Sequence, residues 1–336
     1  MYFQQILLDL FSKMKGERSQ MAPYYILRGK KSGQTLQDIH YYRVTDYFGV
    51  SPDLTKEVYH QEIEQLYATQ LIVDQDSPQL TPKGYKNLET FSRPRFSYLT
   101  NTVLETLEKR LMLLIQVASN RLADQSNYYP VVMDEEVQRH IKLLIQKMGG
   151  IDATATALKE MLWRFLEASD QSDEGKQVFV HRFSGYDSAG LTWEQLAEQL
   201  GVRRLDAFFI YRSVLSELAI HVSQTSSPFS ELVPKSEVLT ETAKKTYQWY
   251  CKGHSFQEIA RIRRLKESTI EDHFVEIASV RPDFSFEEII TQQQINEILH
   301  VQQQLKTHKL KSLRERLPQY SYFQLRLALA KGGVIT

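Results

Sequence analysis

The strings Ser255-Phe-Gln-Glu258 and Ser268-Thr-Ile-Glu271 stand a short turn apart, and each has the hydroxyl-to-carboxylate spacing of a capping box. In such a box the serine side chain accepts from a free amide of the first turn while the glutamate reaches back to the serine N–H. A chain that opens two helices this way in quick succession is held to a pair of short helices meeting at an angle. The apolar residues agree in phase: Phe256, Ile259 and Ala260 share one face of the first helix, and Ile270, Phe274 and Ile277 one face of the second. A preceding helix sets Ala243, Tyr247 and Tyr250 on one side and stops at Gly253. Residues 240–278 therefore read as a helix-turn-helix. The pattern then predicts a helix from Ser285 to about Gln304, followed by a basic stretch and the segment Tyr320–Ala330.

The fold class expected for the whole chain is mainly α, with several helix-turn-helix modules. Residues 1–95 read as a winged-helix-like domain. Helices are expected over Tyr2–Lys15, near Leu36–Tyr47, and from a Ser51 N-cap with Pro52 in the first turn as far as Gln70. Leu71-Ile72-Val73, a polar turn, and Leu80-Thr81-Pro82-Lys83-Gly84 then predict a small β-hairpin in the place of a wing. Residues 97–168 are a helical spacer or packing region. There the stripe Leu104, Leu107, Leu111, Leu114, Ala118 and Leu122 suits core packing or a dimer seam. Ser169 to Gly175 reads as a loop. Residues 178–221 form a second helix-turn-helix unit, marked by the Thr192-Trp-Glu-Gln195 capping box and a turn at Gly201. Residues 222–239 read as a linker, and 240–336 as a helix-turn-helix domain with a basic C-terminal tail.

Charge and motifs narrow the function. Lys plus Arg and Asp plus Glu are 41 each, so a phosphate-binding surface requires an uneven distribution of charge. Residues 100–180 carry nine basic against twelve acidic side chains and suit packing better than phosphate contact. The lone cysteine, Cys251, excludes an internal disulfide and suits a reducing compartment. Met1–Leu10 lacks the basic start of a signal peptide, no apolar run is long enough to span a membrane, and the cytoplasm is the expected location. No phosphate loop, H-E-x-x-H, C-x-x-C, G-x-S-x-G or G-x-G-x-x-G string occurs. The expectation is a binding protein, not an enzyme, with no catalytic residue, metal, cofactor or small-molecule substrate.

From Leu239 onward the chain resembles the helicase-associated helix-turn-helix domain at the C-terminus of some RecQ-type DNA helicases. The likeness rests on Ser255, Glu258, Ile259, Ala260, Arg261, Arg264, Leu265, Ser268, Thr269, Ile270, Glu271 and His273. The layout of the whole chain, with this domain last and no motor before it, resembles the YpbB-type proteins of Bacillota, which are typically encoded beside a RecQ-like helicase. The resemblance implies an accessory or adaptor role in helicase-linked DNA replication, recombination or repair, with a RecQ-like helicase and single-stranded or forked DNA as partners. The alternative is a sequence-specific transcription regulator that reads DNA with the N-terminal winged helix.

The charges assign candidate surfaces. The second helix of the 240–278 module offers Lys266 against Glu267, Glu271, Asp272 and Glu276, which opposes entry into a major groove. Glu267, Asp272, His273 and Glu276 are therefore partner-binding candidates, His273 being equally readable as a core-edge residue. Nucleic-acid candidates are Arg261, Arg263, Arg264 and Lys266 around the turn, and Lys306, Lys309, Lys311, Arg314 and Arg316 in the tail. Tyr320, Tyr322 and Phe323 stand beside the tail cations, either to stack on bases or to pack a core. Arg203, Arg204 and Arg212 of the second unit are placed for phosphate contact or for a solvent-facing role.

Overall fold

The computed structural model describes residues 2–89, 91, 93–94, 96, 101–224, 227–235, 239–281, 284–285, 287–307 and 309–332. Among these residues are seventeen α-helices and one two-stranded sheet. Helix α1 (Tyr2–Met14) is apolar on most of its circumference and buries Phe3, Ile6, Leu7, Leu8, Leu10, Phe11 and Met14. Helix α2 (Ala22–Leu27) has Pro23 in its first turn, and α3 (Gly33–Tyr41) is capped by the Ser32 hydroxyl. The single helix expected near Leu36–Tyr47 is in fact α3 and a 3-10 turn at Thr45–Tyr47, parted where Arg43 takes a φ of 52°.

Helix α4 (Lys56–Ala68) starts four residues later than the Pro52 signal predicts. Ser51 is buried and donates its N–H to the Leu27 carbonyl at 2.9 Å, and Thr55 is the cap, accepting from Val58 N–H at 3.3 Å. Tyr59, Ile63 and Leu66 face inward as the spacing requires. Strands β1 (Ile72–Val73) and β2 (Gln79–Leu80) pair antiparallel, Ile72 opposite Leu80, and form the small hairpin in the wing position. Helix α5 (Pro82–Glu89) follows, with Gly84 so close to the Leu71 carbonyl that any Cβ there would collide with backbone.

The next helices are α6 (Asn101–Leu122), α7 (Glu135–Lys147), α8 (Ile151–Ala168), α9 (Asp173–His181), α10 (Trp193–Leu200) and α11 (Arg204–Gln224). The stripe on α6 is core: Leu104, Leu107, Leu111, Leu114 and Ala118 are buried, and only Leu122 is exposed. Glycines 149 and 150 break α7 from α8 with φ of 85° and 107°. Ser172 caps α9, so the stretch expected to be a loop ends in a helix. The Thr192 capping box is formed, and Gly201 ends α10 in the left-handed region. Residues 228–232 form a 3-10 turn whose Phe229 and Leu232 are buried in the same core as α6 and α11, so this part of the expected linker is packed.

The remaining helices are α12 (Glu241–Cys251), α13 (Phe256–Arg263), α14 (Glu267–Val280), α15 (Gln292–Leu305), α16 (Leu310–Arg316) and α17 (Tyr322–Gly332). The Ser255 capping box is formed. The Ser268 box is not: α14 starts at a Lys266 N-cap, which places Ser268 inside the first turn. Helix α15 begins not at Ser285 but at a Thr291–Gln294 capping box.

Contacts divide the chain into two units, and neither is continuous in sequence. The first comprises Met1–Leu7 and Asn87–Ser236; the second comprises Leu8–Lys86 and Glu237–Thr336. In the first unit α11 is central, with Tyr211, Val214, Leu215, Leu218 and Val222 buried against α6, α9 and α10. In the second unit α14 is central and packs against α12, α13, α17 and also α3.

Candidate nucleic-acid interface

In a DNA-reading helix-turn-helix the second helix must present side chains to a groove. In α14 every residue from His273 to Ser279 is buried. Its inner face holds Ile270, Phe274 and Ile277, with Phe274 edge-on to Tyr250 and Phe256 at 5.4 and 5.5 Å. The opposite face meets α3 and α17: Gly33 of α3 lies against the Asp272 carboxylate, and Asp272 pairs with Arg326, which also faces the Gln37 amide. Fully burying three such large apolar side chains is worth roughly 1.5–3 kcal/mol each, which fixes α14 firmly in its unit.

That packing corrects the assignment of two of the four partner-binding candidates. His273 is buried, 2.8 Å from the Thr246 hydroxyl and 3.3 Å from Arg263, and burial with the Arg263 charge brings its pKa down to about 4. Glu276 is buried and accepts from the Thr240 N–H at 2.5 Å and its hydroxyl at 3.0 Å, and burial raises its pKa. Both serve the fold. Asp272 is partly covered by its Arg326 pair, and Glu267 is exposed on the first turn.

The basic candidates separate in the same way. Arg212 is buried, with a 2.6 Å bond to Asn101, and cannot reach a phosphate. Arg203 is half-buried in a two-point pair with Asp206, at 2.9 and 3.0 Å. Arg204 is exposed and held 2.6 Å from Glu194. Arg263 is half-buried and donates to the Thr242 carbonyl at 2.7 Å and to Thr246. Arg314 donates to the carbonyls of Pro318 and Tyr320 and so ties the α16–α17 connection. Of the three aromatics beside the tail, Tyr320 is buried with its hydroxyl 2.6 Å from Glu297, and Phe323 packs on Phe256 at 5.7 Å. Only Tyr322 is exposed. A stack of several aromatics for bases is therefore not formed.

Two sets of cations remain at the surface. Arg261, Arg264 and Lys266 are exposed at the α13–α14 turn, Lys306, Lys309 and Lys311 at the α15–α16 corner, and Arg316 at the far end of α16. Lys245, Lys252 and Arg281, not singled out in the sequence, are exposed too; Lys252 lies over Trp249 at 4.6 Å and Arg281 over Tyr247 at 5.2 Å. Over residues 240–281 the exposed cations are thus six, against the three exposed carboxylates Glu241, Glu258 and Glu267. Of the α14 carboxylates Glu276 is buried and Asp272 is paired with Arg326, while Glu267 and the part-exposed Glu271 stay at the first turns, so among fully exposed side chains the cations of the module outnumber the carboxylates. Arg264 and Lys306 each take the left-handed backbone position at a helix end, with φ of 51° and 49°, where glycine is the usual occupant. A cation there also suits the negative end of the helix dipole.

On the N-terminal module the exposed face of α4 is mixed, with Lys56 against Glu57 and Glu64, and the hairpin turn carries Asp74 and Asp76. This surface is poorly suited to phosphate.

Comparison with known proteins places these observations. A family described as a helix-turn-helix domain matches residues 242–329. Protein YpbB of Bacillus subtilis (strain 168) is 29% identical over 349 residues, covering 98% of this chain and 97% of that protein. No solved structure matches. Among the described residues no helix is long and apolar enough to cross a membrane.

Proposed function

We propose that this chain is a non-enzymatic accessory or adaptor protein of helicase-linked DNA metabolism, which holds DNA by its phosphates and does not read bases. One observation carries the reading: α14 is buried from His273 to Ser279 and its open first turns carry the carboxylates Glu267, Glu271 and Asp272, while Arg261, Arg264, Lys266 and the cations of the α15–α16 region are exposed. Exposed cations on a rigid frame give salt-dependent, sequence-tolerant affinity. The likeness of residues 239–336 to the domain carried by RecQ-type helicases supports a RecQ-like helicase as the protein partner. The acidic turn and mixed α4 face speak against the transcription-regulator alternative.

The test is fluorescence anisotropy of the full chain on single-stranded, duplex and forked oligonucleotides over a salt series. Binding should weaken steeply with salt and be indifferent to scrambling the sequence. The triple change Lys309→Glu, Lys311→Glu and Arg316→Glu should lower affinity at least tenfold, and each lost duplex contact should reduce the salt slope by about 0.9. Arg264→Gly should weaken binding without loss of stability, since glycine suits the left-handed position. Unchanged affinity in the triple variant, or a strong preference for one sequence, defeats the DNA part. Failure of the full chain to co-elute with a purified RecQ-like helicase defeats the adaptor part.

A further inference from the structure

Between α6 and α7 the chain has no regular secondary structure and bends at Val131, and several of its apolar side chains point away from the core. Tyr129 is 94% exposed, Val131 40% and Met133 75%, while the intervening Val132 is buried among the side chains of α6 and α7. Val132 thus anchors the segment while Tyr129, Val131 and Met133 on either side of it are displayed to water.

The segment is held in that pose. The Gln116 amide on α6 donates to the Tyr129 carbonyl at 3.1 Å and accepts from the Val131 N–H at 2.8 Å. Gln138 on α7 donates to the Val132 carbonyl at 3.0 Å. Asp134 then caps α7, accepting from Glu136 and Val137 N–H at 3.1 and 3.2 Å. The backbone is thus fixed by side chains on both sides of it, and the ordering cost of presenting Tyr129 and Met133 has already been met in folding.

We propose that the strip Tyr129, Val131 and Met133 is a docking surface for a partner protein segment that sets apolar side chains beside lysines or arginines. Charge selects this occupant. The strip is bracketed by carboxylates, Asp124 before it, which lies 3.5 Å from Arg121, and Asp134, Glu135 and Glu136 after it, of which Glu135 and Glu136 are exposed on the first turn of α7. On the same stretch Arg121 is already paired with Asp152, and Lys109 reaches Asp134 at 3.8 Å, leaving Arg139 as the exposed cation of α7's first turns. A second copy meeting the strip about a two-fold axis would bring carboxylates against carboxylates, and a nucleic acid would meet the same repulsion. Pro130 has no N–H to donate and the Tyr129 and Val131 groups are engaged by Gln116, so the partner is held by side chains and not by strand addition. The proposal uses none of the residues of the DNA reading and stands or falls separately from it.

Anisotropy with the full chain and two labelled peptides of equal length tests this, one alternating leucine with lysine and the other leucine with glutamate. The lysine peptide should bind. It should bind at least tenfold more weakly to the Tyr129→Ser/Met133→Ser double variant, and several-fold more weakly to Glu135→Gln/Glu136→Gln or at high salt. The substituted side chains face water, so thermal melts of both variants should match the parent; should the double variant melt early, Met133→Ser alone serves in its place. Absence of binding by the lysine peptide, equal binding by parent and serine variants, or preference for the glutamate peptide overturns the proposal. So does a concentration-dependent dimer in sedimentation that the serine changes abolish, which would make the occupant a second copy.

Discussion

His273 and His40 hold neutral imidazoles in places where charge is hard to carry. Burial brings both to a pKa of about 4, with the Arg263 charge adding to the effect at His273. A histidine whose folded pKa lies below its unfolded value near 6.5 contributes stability that is complete above pH 6.5 and is lost as pH falls toward 4. At pH 5 the loss is about 1–2 kcal/mol for each. The raised pKa of Glu276 works the other way, since acid relieves its buried charge. The expected outcome is a urea midpoint that falls from pH 7 to pH 5, with a clearly shallower fall in His273→Gln; an unchanged slope in that variant would remove His273 from the account. The sequence leaves His273 open between a partner-facing donor and a core-edge residue, and the structure places it on the core side, against Thr246 of α12 and Arg263 of α13. Position on a helix fixes which face a residue joins, but not which of its faces the neighbouring helices will cover.

Among elements, the two serine boxes that frame the turn separate what local pattern decides from what packing decides. Ser255 makes its box, and Ser255→Ala should cost about 1 kcal/mol in chemical denaturation. Ser268 lies inside α14 and caps nothing, so Ser268→Ala should be within about 0.5 kcal/mol of the parent; equal losses would mean that α14 begins at Ser268 in solution. The inward residues of α13 and α14, the α6 stripe and the Thr192 box were all legible, because period and capping are local properties. Helix starts were less so. Ser51-Pro52 has the composition of a start, yet Ser51 is engaged by Leu27, and Thr55 performs the task. The surface cations were visible as letters, but Arg212, Arg263 and Arg314 are consumed by Asn101, Thr242 and Pro318, partners too distant or too irregular in sequence to foresee.

For the molecule as a whole, linear modules and folded units do not coincide. The C-terminal helix-turn-helix shares its unit with residues 8–86, and α3 covers α14. Residues 239–336 expressed alone should therefore lose several kcal/mol of burial, on the scale of roughly 1.5–3 kcal/mol per large apolar side chain uncovered. Circular dichroism should show the fragment melting well below the whole chain, and residues 8–86 supplied in trans should recover part of the difference. A fragment melting as sharply and as late as the intact protein would make α3 dispensable.

The same sharing between early and late segments sets a schedule for biosynthesis. Residues 8–86 emerge from the ribosome first, yet the helices that complete their unit are made only after about 150 intervening residues. At roughly 5–20 residues per second that is a wait of about 8–30 s, during which the half-built core around α3 is open to chaperones and to other nascent chains.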